Sequence, residues 1–184
     1  WSKPRLVIDP TDLPGKPNRR TLVGNLWTDP QGRLWCFFDQ SLGYFDGRGG
    51  DWVTRCDNPD DTNPTWSAPV RIADGCTLNK PTVLANGDWL LVLNPTVVWS
   101  NPEKTVLGSN HGGPRTPLAA MISHDEGRTW SRPKNLEPDA TATYAYTSIT
   151  FHGGRALLSY YHSPAPGKLL SLKFQSVPLD WFER

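Results

Sequence analysis

The chain has 184 residues, 37% hydrophobic and 20% charged, with a formal net charge of +1; this is the balance of a folded globular protein and excludes a disordered tail. No run of Lys or Arg exceeds the pair Arg19-Arg20, so the electrostatic footprint of a nucleic-acid or anionic-membrane binder is missing and neither partner is expected. No apolar stretch approaches the roughly 20 residues a membrane-crossing helix needs, and the longest candidate, residues 89–98, is broken by Asn94-Pro95.

Pro (18 residues, about twice its usual share) and Gly (16 residues) punctuate the sequence every few positions and argue against long helices. Nine Trp suit wedge-shaped packing between sheets or a surface that stacks on sugars. The three Cys, at 36, 56 and 76, have no metal-ligand spacing. Cys36 lies in an apolar strand, and a Cys56–Cys76 disulfide stays open. No metal or cofactor is expected. Beginning at Trp1, with neither Met nor signal peptide, the sequence reads as a processed or excised piece.

Taken in chain order, the predicted elements form a repeat. Residues 22–29 turn through Pro30-Gln31-Gly32 into the apolar strand 33–38. Residues 81–84 turn through Asn86-Gly87 into 88–93, and residues 146–151 turn through His152-Gly153-Gly154 into 155–160. A Gly in each turn supplies the positive φ of a tight antiparallel hairpin. Each hairpin is followed by a third and a fourth strand: 52–55 and 70–72, then 118–122 and about 134–136, then 169–174 and 179–182. Four short strands per repeat are the unit of a β-propeller blade, though periodicity alone also allows a β-sandwich. The blades span about residues 21–73, 77–138 and 143–184, in one partial propeller.

The motif Ser123-His124-Asp125-Glu126-Gly127-Arg128-Thr129-Trp130 decides for the propeller. In Ser-x-Asp-x-Gly-x-Thr-Trp a hydroxyl and a carboxylate bond the turn's backbone N–H groups, Gly permits a left-handed residue, and Trp plugs the gap beside the turn. Ser123, Asp125, Gly127, Thr129 and Trp130 are therefore read as structural. Arg55-Cys56-Asp57 followed by Thr65-Trp66-Ser67 matches the motif with an insertion. In the third repeat a turn near Val177-Pro178 replaces it.

This Asp-box, the Gly-containing hairpins and the run Tyr144-Ala145-Tyr146-Thr147-Ser148-Ile149-Thr150 resemble the sialidase superfamily with its BNR repeats. The resemblance covers about residues 22–182 and implies an all-β fold: the last three four-stranded blades, or half, of a six-bladed propeller of the sialidase type.

In an up-and-down blade, the rim where strand one begins also receives the loop between strands two and three. Topology gathers Arg19-Arg20, Asp39-Gln40-Ser41, Asn79-Lys80, Arg115, Tyr144, Tyr146 and His162-Ser163 there, with His111 on the same rim. The resemblance implies a retaining exo-glycoside hydrolase with a Tyr nucleophile, for which Tyr146 is the first choice and Tyr144 the second. It also implies that Arg115 grips a substrate carboxylate, a task suited to a bidentate guanidinium. Lys80, His111 and Asp39 complete the candidate substrate-binding set, Lys80 and His111 for an acidic or sulfated sugar.

The departures are as specific as the matches. A phenol ionises near pH 10 and needs a base at neutral pH. The family places a Glu at the start of an earlier blade, where this chain reads Val23-Gly24-Asn25, and the second carboxylate-binding Arg is also missing where it reads Phe38-Asp39-Gln40-Ser41. The acid/base Asp and first Arg belong to blades that precede this chain. Two functions therefore stay open: a sialidase-like hydrolase of terminal, acidic or other, sugars to which this chain gives part of the site, and a non-catalytic propeller that binds carbohydrate or protein. The open radial faces of three blades call for a second half-propeller or a homodimer to close the ring. The carbohydrate reading implies a secreted or periplasmic protein.

Overall fold

The computed structural model describes residue 8 and residues 19–42, 50–77, 79–94, 115–165 and 168–183, with the backbone alone for Arg19, Arg20, Ser41 and Leu42. Three antiparallel sheets follow one another along the chain. The first contains β1 (Arg19–Thr28), β2 (Leu34–Leu42), β3 (Asp51–Cys56) and β4 (Val70–Ala73), in that order. The second contains β5 (Thr82–Val83), β6 (Trp89–Leu93), β7 (Leu118–Ser123) and β8 (Lys134–Glu137), also in chain order. The third contains β9 (Thr143–His152), β10 (Arg155–Ser163) and β11 (Ser171–Pro178), and α1 (Asp180–Glu183) follows it.

Side-chain alternation explains the stacking, because successive residues of a strand face opposite sides of its sheet. In β2, Trp35 and Phe37 face the second sheet, where they pack with Trp89, Leu91, Leu93 and Met121. Cys36 and Phe38 face the other way, toward Trp52 and Trp66. Every residue of β6 and β7 is buried, as the continuous apolar runs of a sheet covered on both faces require. Leu90, Val92, Ala120 and Ile122 supply the face that meets Tyr144, Leu158 and Tyr160 of the third sheet. The first interface is aromatic, with Trp27 and Trp35 meeting Trp89 edge-on at ring-centroid distances of 4.6 and 5.2 Å.

At one rim the intact Asp-box closes the β7–β8 hairpin. The Ser123 hydroxyl accepts the Gly127 N–H at 2.8 Å, and Asp125 accepts the Thr129 N–H at 2.8 Å and the Thr129 hydroxyl at 2.6 Å. Gly127 has φ +79°, and a Cβ there would stand 2.7 Å from the Trp89 ring, so only glycine fits. Trp130 meets Phe37 of the first sheet edge-on at 6.5 Å. Glu126 accepts from Gln31 at 2.9 Å and from Arg33 at 3.1 Å, which ties the box to the β1–β2 turn.

Two expectations need correction, the last strand and the register of the degenerate box, and the cysteine pairing left open is decided. The fourth strand expected at 179–182 is helix α1: the ladder ends at Pro178, and Phe182 turns into the core between the second and third sheets. All three cysteines are free. Cys56 ends β3 while Cys76 follows β4, so Cys56 and Cys76 lie at opposite ends of an antiparallel pair. The degenerate box is shifted by one residue from the match through Asp57. Asn58 accepts the Thr65 N–H at 3.0 Å and the Thr65 hydroxyl at 3.1 Å, as Asp125 does from Thr129, and Cys56 replaces Ser123. Asp57 instead pairs with Arg55.

Candidate functional site

The rim opposite the boxes gathers chemistry-bearing residues from all three sheets. β9 begins there with an irregularity: its pairing with β10 slips between Ser159 and Tyr161, and Tyr146 has φ 55°. A non-glycine residue in the left-handed region costs about 1–3 kcal/mol and persists only where its surroundings fix it. β1 repeats the feature, with a slip between Leu22 and Asn25 and Val23 at φ 48°. The first strands of the first and third sheets thus share a bulge that turns one side chain outward. In β1 that side chain is Val23, and in β9 it is a phenol.

Tyr146 is 61% exposed. Its ring meets Tyr161 edge-on at 5.5 Å, and the Arg115 guanidinium lies 5.3 Å from its centroid, within cation–π range. Arg115 precedes β7, and its carbonyl accepts the Tyr144 N–H at 3.0 Å, which fixes the approach of its backbone to β9. The Thr147 carbonyl accepts from the Asn79 side-chain amide at 2.7 Å. Among the described residues no carboxylate is bonded to the Tyr146 hydroxyl.

Tyr144 takes a different place from the one a second-choice nucleophile needs. It is 1% exposed and packs against His162, ring centroids 5.5 Å apart. Burial, and then the charges of Glu137 and Asp139, push its phenol up to about 12, so it stays protonated and inside. Asp39 is not a loop residue but a buried member of β2, 4% exposed and opposite Asp51 in the β2–β3 ladder. That burial removes it from direct contact with a ligand. Lys80 is exposed on this rim just before β5, and His111 lies outside the described residues.

The structure adds Asp51, Thr77, Asn94 and Tyr161 to this rim, where Asn79 was already expected. Asp51 had a signal in the sequence, as an acidic residue directly before the apolar pair Trp52-Val53 at the start of a predicted strand. The others are ordinary polar or aromatic residues whose importance lies only in what they touch.

No family model matches the chain, and no curated protein does. Solved structures do. One is described as the structure of a new family of polysaccharide lyase, PL25 ulvan lyase, and another as the same lyase bound to -[GlcA(1-4)Rha3S]-. Their TM-scores are 0.57 and their identities 15% and 16%, over 83% of this chain and 37% of theirs. This is likeness of fold, and the chain spans well under half the length of those proteins.

Proposed function

We propose that the three sheets are consecutive blades of a sialidase-type β-propeller and that the rim bearing Arg115 and Tyr146 is part of a carbohydrate-processing site. The observation that carries this reading is the pairing of an exposed phenol on a strained strand start with a guanidinium over its ring. Arg115 then grips the carboxylate or sulfate of an acidic sugar. The Tyr146 oxygen bonds to the anomeric carbon as the bond to the leaving sugar breaks, and water later releases the bound sugar. The base that takes the phenol proton and the acid that protonates the leaving oxygen come from outside the described residues. The likeness of fold to a lyase bound to -[GlcA(1-4)Rha3S]- makes acidic, sulfated polysaccharides the first substrates to try. Such substrates suit a secreted or periplasmic protein. Further sheets of the same kind, from a second half-propeller or a second copy, would cover the open outer faces and close the ring.

The assay is sugar release from aryl glycosides and from sulfated polysaccharides. Tyr146→Phe should lower kcat by about 100-fold or more, and Arg115→Ala should chiefly raise KM for acidic substrates. Turnover that survives Tyr146→Phe removes the nucleophile assignment.

A second reading is a non-catalytic carbohydrate-binding propeller. The lack of any described carboxylate at the Tyr146 hydroxyl favours it. Glycan-array binding that Arg115→Ala abolishes, without release of sugar, selects it over hydrolysis.

A further inference from the structure

We infer that the buried carboxyl pair Asp39 and Asp51 positions Tyr146 and Arg115, acting through the segment that carries Cys76, Thr77 and Asn79. The functional meaning of this inference rests on the site proposed above, while its structural content stands without it.

Asp39 and Asp51 face each other across the β2–β3 ladder at 4% and 0% exposure. Two carboxylates so placed cannot both be charged, and the usual resolution is one proton held between them. Neither Asp51 oxygen has a hydrogen bond of ordinary geometry among the described residues, and a proton shared with Asp39 satisfies that buried group. Burial pushes Asp39 up to about 6 and Asp51 well above the usual carboxylate range. The other charged or titratable groups facing the pair are Arg71 on β4, which favours the Asp51 carboxylate, and the Cys76 thiol, which burial and the two acids raise while Arg115 opposes that rise from beyond it.

Asp39 accepts the Thr77 backbone N–H at 3.0 Å, and from there two branches run to the rim. Along one, the Thr77 hydroxyl oxygen accepts the Asn79 N–H at 3.2 Å, and the Asn79 amide holds the Thr147 carbonyl next to Tyr146. Along the other, Cys76 and Asn94 exchange backbone bonds of 3.1 and 2.9 Å. The Asn94 side chain then reaches the Pro117 carbonyl at 3.0 Å and the Arg115 carbonyl at 3.4 Å. One short segment therefore holds both the strained strand start and the arginine loop, and Asp39 anchors that segment to the first sheet.

With one proton on the pair, Asp51 donates to Asp39, and Asp39 remains an acceptor for Thr77. When the last proton leaves, two unscreened carboxylates stand side by side and the anchor opens. The network is thus intact while the pair keeps one proton and weakens as pH rises through the elevated Asp51 ionisation. Asn in place of Asp51 keeps the donor and removes the titration.

The test is hydrogen exchange of the whole chain, corrected for the intrinsic pH dependence of exchange, as pH is raised stepwise until the pair has lost its last proton. In the wild type, protection of residues 115–118 and 143–150 should fall over this range while residues 155–158 hold. Asp51→Asn should abolish that fall. Asp39→Ala should lose at least about tenfold in protection at both segments at every pH. Asn79→Ala should loosen 143–150 and spare 115–118, because only the first branch is cut. A wild-type pH dependence that Asp51→Asn leaves in place overturns the inference, as does wild-type protection in Asp39→Ala. If Asp39→Ala does not fold, the Asp51→Asn and Asn79→Ala arms decide. No sugar enters these measurements, so a protein that shows the coupling but processes no carbohydrate refutes the proposed function and keeps this inference.

Discussion

Asp125 owes its low ionisation to two bonds from one threonine. The Thr129 hydroxyl and N–H hold its carboxylate down to about 2. A carboxyl depressed by the fold contributes fully above its unfolded value of about 3.9 and loses that contribution as pH falls toward the folded value. Stability should therefore decline between about pH 4 and about pH 2 in the wild type, and this part of the decline should vanish in Asp125→Ala. At neutral pH the substitution should cost about 1 kcal/mol, measured by urea denaturation, since the turn is partly open to water. The pair Tyr144 and Tyr146 shows what a residue-level reading cannot see. Two residues apart in a regular strand share one face, yet one is 1% exposed and the other 61%. The bulge and the positive φ at Tyr146 break the alternation, and no residue type in that run announces them.

Among the elements, the β3–β4 turn is an Asp-box rebuilt from other residues. Asn58 does the work of Asp125 through an uncharged oxygen, so Asn58→Ala should destabilise the protein by about 1 kcal/mol in thermal unfolding. The motif was legible because Thr65 and Trp66 keep their spacing to the following strand. Its register was not, because three extra residues between Asn58 and Thr65 let Asp57 look equivalent. Helix α1 was misread for a related reason: the four residues Leu179-Asp180-Trp181-Phe182 are too few for a period that separates strand from helix. What decides is Phe182, 8% exposed in the core shared by the second and third sheets. Phe182→Ala should cost about 3 kcal/mol, a cavity-scale loss that urea denaturation would resolve.

At the scale of the whole molecule, the second sheet is packed on both faces among the described residues, by the first sheet on one and by the third on the other. The outer face of the first borders a cavity of about 610 Å³ lined by Leu26, Cys36, Phe38 and Trp66. The outer side of the third bears Leu172 and Phe174, 72% and 66% exposed. Apolar surface of this kind favours association, so sedimentation should show a monomer that self-associates with concentration. Phe174→Lys should weaken that association and change unfolding stability by less than about 0.5 kcal/mol. The all-β class, the repeated hairpins, the Asp-box and the rim on which Arg115 and Tyr146 lie were legible from the residues alone, because alternation, turn chemistry and strand direction are local. That Tyr146 turns outward and Tyr144 inward, that Asp39 lies buried against Asp51, and that Asn79 reaches the third sheet came from the packing of the sheets. Those facts depend on contacts between residues distant along the chain, and no local pattern encodes which polar groups a sheet will bury together.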